Sequence, residues 1–126
     1  MHTDPIADLL TRIRNASKAR HESTLVPASR IKQEILRVMK QMKFIEDFKV
    51  SGEGAQTMIK IDLIPGKELS LNRVSKPGQR IYKKAPELSP VLRGYGFSII
   101  STSQGIMTGD EAKKKGMGGE LICEIY

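Results

Sequence analysis

One cysteine, two histidines, no tryptophan and six aromatic residues in all leave several chemistries out of reach of this 126-residue chain. Cys123 alone can close no internal disulfide, which fits a reducing compartment; mid-strand, it is most simply a small buried apolar residue. One Cys and two His cannot supply the ligand spacings of a metal site. A serine nucleophile needs a base, and His2 and His21 both lie near the N-terminus, one at a fraying end and one in a turn, so neither catalysis nor a cofactor is expected. No apolar run approaches the ~20 residues that span a bilayer. The start, Met1-His2-Thr3-Asp4, lacks the basic and apolar stretches of a signal peptide, and no stretch is a basic amphipathic helix with Trp or Phe on its apolar face. A cytoplasmic protein without a membrane partner is the expectation.

What is present is positive charge: 21 Lys plus Arg against 14 Asp plus Glu give +7, on a chain 39% apolar and so able to build a core. Such a balance points to an anionic partner, nucleic acid first, the alternative being a merely soluble basic protein.

Thr3 and Asp4 before Pro5 make a helix start, and Ile6, Leu9, Leu10 and Ile13 recur at helical spacing. Arg12, Arg14, Lys18 and Arg20 follow. They either complement the helix dipole or, for Arg12, Arg14 and Asn15, face a phosphate backbone. Ser23 to Val26 reads as a short strand ended by Pro27, and Ser29 caps a second helix with Ile31, Ile35, Val38, Met39 and Met42 on its apolar face and Leu36 widening it. Its cations read as a solvated face, with Arg30 and Lys32 near the helix start as candidate contacts. Phe44 to Val50 and Met58 to Leu63 alternate like the arms of a β-hairpin. The fold class is therefore α+β with two small domains: residues 1–63 with two helices on a short sheet, a linker at 64–67, and residues 68–126, mostly β with short helices.

In that second half Leu69 to Val74 looks extended, Ser75-Lys76-Pro77-Gly78 suits a type II turn, and Arg80-Ile81-Tyr82 resumes a strand. Seven cations face only Glu68 and Glu87 between Lys67 and Arg93. Tyr82 beside Lys83 and Lys84 is either a stacking ring with phosphate neighbours or half-buried packing. Pro86 and Pro90 limit residues 85–92 to a short helical turn.

The chain then reaches the stretch that organises it. Phe97, Ile99 and Ile100 form a buried strand, and Ser101, Thr102, Ser103 and Gln104 follow as a hydroxyl-lined loop turned by a positive φ at Gly105. Thr108-Gly-Asp-Glu111 has capping-box spacing for a helix through Lys115 that stops at Gly116. Asp110 and Glu111 in its first turn exclude a phosphate cradle there. Leu121 to Ile125 is an apolar strand with Glu120 at its mouth, either orienting hydroxyls, accepting a base amino proton or ending the strand in solvent.

Four ordered stretches carry a resemblance: Thr3-Asp-Pro-Ile-Ala-Asp-Leu-Leu-Thr-Arg-Ile-Arg-Asn15, Arg73-Val-Ser-Lys-Pro-Gly78, Ser101-Thr-Ser-Gln-Gly-Ile-Met-Thr108 and Gly118-Gly-Glu-Leu-Ile-Cys123. With them the chain resembles, over nearly its whole length, the bacterial form of the family of small-subunit ribosomal protein number eight. The resemblance implies a two-domain protein that binds the central domain of small-subunit ribosomal RNA early in assembly. It also implies repression of translation through a similar stem in its own operon messenger, and ribosomal proteins five and twelve as neighbours. The family's main RNA site maps onto Ser101, Thr102, Ser103 and Gln104 with Gly118, Gly119 and Glu120, with Tyr82 and Lys83 at its edge. A second surface maps onto Thr3, Asp4, Arg30 and Lys32. Three departures stand out: Lys43 where the family usually has Gly, Gly109-Asp110 for the usual Asp-Arg, and a shorter segment from Met58 to Leu71. In this reading the cationic surface attracts RNA, while the hydroxyl loop and Glu120 select a distorted stem. The rivals are an enzyme with a loop serine as nucleophile, which lacks a base, and a protein–protein adaptor, which would bind RNA weakly on its own.

Overall fold

A computed structural model describes residues 4–126, with backbone alone at 92 and 93; the chain forms two compact units, one ending at Leu69, the other spanning Ser70–Tyr126.

The first unit opens with α1 (Pro5–Lys18). The Asp4 carboxylate caps it, accepting from the Ile6 and Ala7 N–H groups at 3.1 and 3.3 Å, and Pro5 occupies a position where no N–H is needed. Thr3, expected to share this role, lies outside the described residues. Ile6, Leu9, Leu10 and Ile13 are all buried, and Ala16 and Ser17 extend the stripe. After β1 (Ser23–Pro27), α2 (Arg30–Gln41) begins at Ser29, whose hydroxyl accepts from the Lys32 N–H at 3.3 Å. Its buried face is Ile35, Leu36, Val38 and Met39; Met42 is exposed because the helix has already ended and it serves as the cap residue.

The predicted hairpin is present as β2 (Asp47–Ser51) and β3 (Met58–Asp62), joined through a 3₁₀ turn at Gly54–Gln56. It starts three residues later than the alternation from Phe44 suggests, because Phe44 and Ile45 are buried at the end of α2 instead of alternating across a sheet. The three strands form an antiparallel sheet ordered β1-β3-β2, with Val26, Ile59 and Ile61 fully buried. Residues 64–67, expected as a linker, are tied into this unit. The Ser17 hydroxyl donates to the Lys67 carbonyl at 3.3 Å and accepts from the Leu69 N–H at 3.0 Å. Lys67 in turn donates its ammonium to the Lys43 carbonyl at 3.1 Å and lies 3.9 Å from the centre of the Phe44 ring. These ties move the division downstream to Leu69.

The second unit is one antiparallel sheet around β8 (Gly119–Ile125). β6 (Phe97–Thr102) pairs along one edge of β8 and carries β7 (Gly105–Thr108) beyond it. β4 (Leu71–Arg73) and β5 (Tyr82–Lys83) also pair with β8, at its end and its beginning respectively. The proline-interrupted stretch holds two 3₁₀ turns, Ala85–Glu87 and Val91–Gly94. α3 (Gly109–Lys114) is capped by the Thr108 hydroxyl, which accepts from the Glu111 N–H at 3.2 Å, and it stops before a left-handed Gly116, as the spacing predicts. Leu88, Ile100, Met107 and Ala112 form a buried cluster, with Met117 against it. Cys123 is fully buried and its thiol is pushed up to about 12 by that burial, so it is an inert core residue.

One turn differs in type. Lys76 and Gln79 exchange hydrogen bonds at 2.9 Å each way around Pro77-Gly78. Gly78 nevertheless stays out of the left-handed region that a type II turn requires.

Candidate nucleic-acid interface

The hydroxyl-rich stretch is tighter than a loop. Ser101 and Thr102 are the last residues of β6, half-buried, and only Ser103 and Gln104 turn before Gly105 starts β7. Neither turn residue has a positive φ; Gly105 supplies it, at 113°, as predicted. The Thr102 hydroxyl is engaged inside the turn, donating to the Gly105 carbonyl at 2.9 Å and accepting from the Gln104 N–H at 3.1 Å. Thr102 therefore shapes the hairpin, and Ser103 and Gln104 are the exposed polar side chains at its tip.

Strand register brings the remaining candidates to the same end of the sheet. Ser101 lies opposite Glu120, which lies opposite Tyr82; Gly119 lies opposite Lys83. Strand alternation puts Ser101, Glu120 and Tyr82 on one face and Thr102, Gly119 and Lys83 on the other, so the site wraps the end of the sheet. The two glycines are needed for this closeness. A Cβ on Gly119 would strike the Ser101 carbonyl oxygen and lie 2.9 Å from its carbon, and one on Gly118 would lie 2.9 Å from the Lys84 Cα. Both obstacles are backbone, which cannot rotate aside. Tyr82, 66% exposed, is surface and not half-buried packing.

Glu120 is not at the strand's mouth but within β8, and its carboxylate accepts from the Arg80 guanidinium at 3.2 Å. Arg80, expected in a basic stretch and at the start of a strand, instead precedes β5, which begins at Tyr82. Its position rests on Ser75, which is fully buried: the Ser75 hydroxyl accepts from the Ile81 N–H at 2.8 Å and donates to the Ile81 carbonyl at 3.3 Å. The Leu121 N–H reaches that same carbonyl at 2.9 Å, carrying the β5–β8 ladder one residue further. The hydroxyl in Ser75-Lys76-Pro77-Gly78 was the available signal for this support, but its partner six residues on is invisible to local patterns.

In the first unit the candidates are more occupied. Asp4 caps α1. Arg12 bonds the Asp8 carboxylate at 3.0 Å and the Leu25 carbonyl at 3.0 Å, which ties α1 to β1. Arg14 is half-buried, and Asn15 and Arg30 are exposed. Lys32 corrects the expectation of a solvated, phosphate-facing side chain: it is buried, its ammonium held by Asp8 at 3.3 Å and the Pro27 carbonyl at 2.9 Å. The Arg12 hydrogen bond first, with Lys32 assisting, holds the Asp8 carboxyl below its ordinary range.

Two of the departures also have structural outcomes. Lys43 takes the left-handed conformation itself, at φ 63°. Gly109 is buried, and a Cβ there would meet the Ser98 hydroxyl, so a larger residue at 109 would require that hydroxyl to turn aside. Among the described residues no group of His, Cys, Asp and Glu could hold a metal ion, and no helix is long and apolar enough to cross a membrane.

Residues 4–126 match the family model described as ribosomal protein S8. Similar curated relatives carry the name small ribosomal subunit protein uS8. That of Synechococcus elongatus is 52% identical, covering 98% of this chain and 97% of its own. The Desulforudis audaxviator protein is 51% identical over the whole of both chains, and the Rubrobacter xylanophilus protein 47% identical over 98% and 97%.

Proposed function

Given that the chain belongs to the ribosomal protein S8 family, we propose that it is a structural constituent of the small ribosomal subunit that binds the subunit's RNA through the β6–β7 hairpin and the adjoining ends of β5 and β8. The observation that carries this reading is the register that sets Ser101, Gly119, Glu120, Tyr82 and Lys83 side by side at the foot of an exposed Ser103–Gln104 turn. Small donors and acceptors on a rigid edge suit RNA better than a catalytic substrate. Regular A-form helix hides its major-groove edges, so shape, 2′-hydroxyls and a few displaced bases are what such an edge can read. The chain's net charge of +7 supplies salt-dependent attraction to any RNA, while the hairpin selects the irregular stem.

The ligand by this reading is the central domain of small-subunit ribosomal RNA, and a stem of similar shape in the chain's own operon messenger would be bound by the same edge and its translation repressed. Ribosomal proteins five and twelve are the proposed protein neighbours, and the work is cytoplasmic and non-catalytic. Arg30 and Asn15, exposed on the first unit, remain proposed backbone contacts; Lys32 does not, being buried against Asp8.

Footprinting the isolated chain on a central-domain fragment at two salt concentrations tests the assignment, and single variants test the edge. Ser103→Ala removes an exposed hydroxyl and Thr102→Ala loosens the turn; each is expected to weaken the cognate stem by roughly 1 to 2 kcal/mol while leaving a regular duplex nearly unaffected. Equal losses on both RNAs would sink the proposal.

A further inference from the structure

A carboxylate on a surface that meets phosphates is a liability unless something neutralises it. Glu120 stands in the middle of the proposed edge, its side chain 18% exposed, and its carboxylate is paired with Arg80, whose side chain is 57% exposed. The pair is unequal in a useful way. The anion is mostly covered and the cation mostly open. A guanidinium carries five N–H donors in a fixed fork, and among the described residues Glu120 is the partner of one nitrogen of Arg80. The backbone next to Arg80 is held on both sides, by the Ser75 hydroxyl on the Ile81 N–H and by the Leu121 N–H on the Ile81 carbonyl. Arg80 precedes β5, and its bond to Glu120 brings the guanidinium to the carboxylate that shares a face with Tyr82 and Ser101.

We infer that Arg80 is a specificity-determining contact of this interface, clamping a backbone phosphate of the distorted stem, and that Glu120 is the positioning residue that holds it. The inference rests on the function proposed above and deepens it by assigning the central carboxylate to the protein's own arginine instead of to an RNA base. A guanidinium already fixed by Glu120 loses little rotamer freedom when the phosphate arrives, and it can use its remaining N–H groups bidentately. The clamp reaches a phosphate only where the stem's bend places one against the sheet end, so a contact that reads no base still contributes to selection. Lysine would bind the phosphate only as a point charge, without a planar fork to engage it bidentately.

The test is a two-residue cycle on the full chain, measuring Kd for a cognate stem and a regular duplex across a salt series. Arg80→Gln is expected to weaken the cognate stem on the order of tenfold and to reduce its salt slope by about one. Arg80→Lys keeps the slope but not the affinity. Glu120→Gln, which frees the arginine, weakens binding a few-fold with the slope unchanged. The double variant decides: it should bind like Arg80→Gln alone, because Glu120 has nothing left to hold. Return of the double variant to full affinity would mean that Arg80 only masks a repulsive carboxylate, and multiplied losses would mean that Glu120 meets the RNA itself; either overturns the inference. All four proteins are checked for unchanged thermal unfolding, since an exposed arginine is not expected to govern stability. If the unmodified chain does not distinguish the two RNAs, it is the proposed function that has failed; if it does and Arg80→Gln distinguishes them as well, only the clamp has.

Discussion

The two units carry similar charge and use it differently. Twelve cations and nine anions stand before Ser70, nine and five after it, so net charge alone does not say which half meets RNA. In the first unit several cations are engaged by the unit's own groups: Arg12 and Lys32 share Asp8, Lys40 bonds Asp47 at 2.9 Å, and Lys67 caps the Lys43 carbonyl over Phe44. In the second, internal polar bonding is done largely by hydroxyls, those of Ser75, Thr102 and Thr108, which leaves Arg80, Tyr82, Ser103 and Gln104 exposed at or near one end of a sheet. An interface is what remains after a unit has satisfied itself. Counting charges cannot find it; accounting for their partners can.

The harshest way to break that comparison is at Gly119, where the second unit has no slack. Gly119→Ala places a methyl group against the Ser101 backbone and must part β6 from β8. A loss on the order of 3 kcal/mol or more is expected, read by urea denaturation followed by circular dichroism. A loss below 1 kcal/mol would mean that the strands can separate cheaply and that the hairpin is not held rigid.

Next come the serine staples, one in each unit. Ser75→Ala leaves the Ile81 N–H without its 2.8 Å acceptor, at a cost of roughly 1 to 3 kcal/mol. Ser17→Ala does the same to the Leu69 N–H, bonded at 3.0 Å. Only the Ser75 change should also weaken the cognate RNA, because it alone supports the segment carrying Arg80 and Tyr82. An equal effect of both on RNA binding would remove the distinction between a unit closed on itself and a unit holding an interface.

These serines also show where sequence reading stops. Helical stripes, the Asp4, Ser29 and Thr108 caps, the Gly105 turn and the hairpin were legible because their determinants lie within a few residues of each other. Ser17 was not, since its partners are 50 and 52 residues away, nor was the Arg80–Glu120 pair, separated by 40. Lys32 misled for the same reason: nothing local reveals a carboxylate 24 residues earlier, and the solvated face a helix period assigns it is occupied by Asp8. Ser101 and Thr102 looked like a loop because polar residues at a half-buried strand end carry no apolar alternation to mark them as strand.

The Asp8 pair sharpens the comparison through pH. The carboxyl of folded Asp8 lies below its ordinary value of 3.8, so the ionised form contributes stability above that value. As pH falls through 3.8 the unfolded chain takes up its proton first and the contribution is lost, until folded Asp8 protonates too. Asp8→Asn should therefore destabilise the first unit by roughly 1 to 2 kcal/mol at neutral pH, held down by the carboxylate's partial exposure. The gap from the unmodified chain should close below the folded carboxyl's pKa, and a gap that persists unchanged there would show that the pair is not its source.

The smallest expected effect concerns how the helices end. All three close alike: the second residue past the cap bonds back five positions, His21 to Ala16 at 3.0 Å, Phe44 to Met39 at 2.9 Å and Met117 to Ala112 at 2.8 Å. The residue between must be left-handed. The second unit uses Gly116 there, at φ 68°, whereas the first uses Arg20 at 57° and Lys43 at 63°. A side chain in that conformation costs about 1 to 2 kcal/mol, against which glycine loses roughly 0.5 to 1 kcal/mol more chain entropy on folding. Lys43→Gly should thus raise stability by about 0.5 to 1 kcal/mol, visible as a higher urea midpoint at unchanged slope. The residue's carbonyl can still accept from Lys67, and the side chain removed is an exposed one. A loss instead of a gain would mean that the Lys43 side chain stabilises the first unit by more than its backbone conformation costs, and that the unit's engagement of its own cations extends to this one.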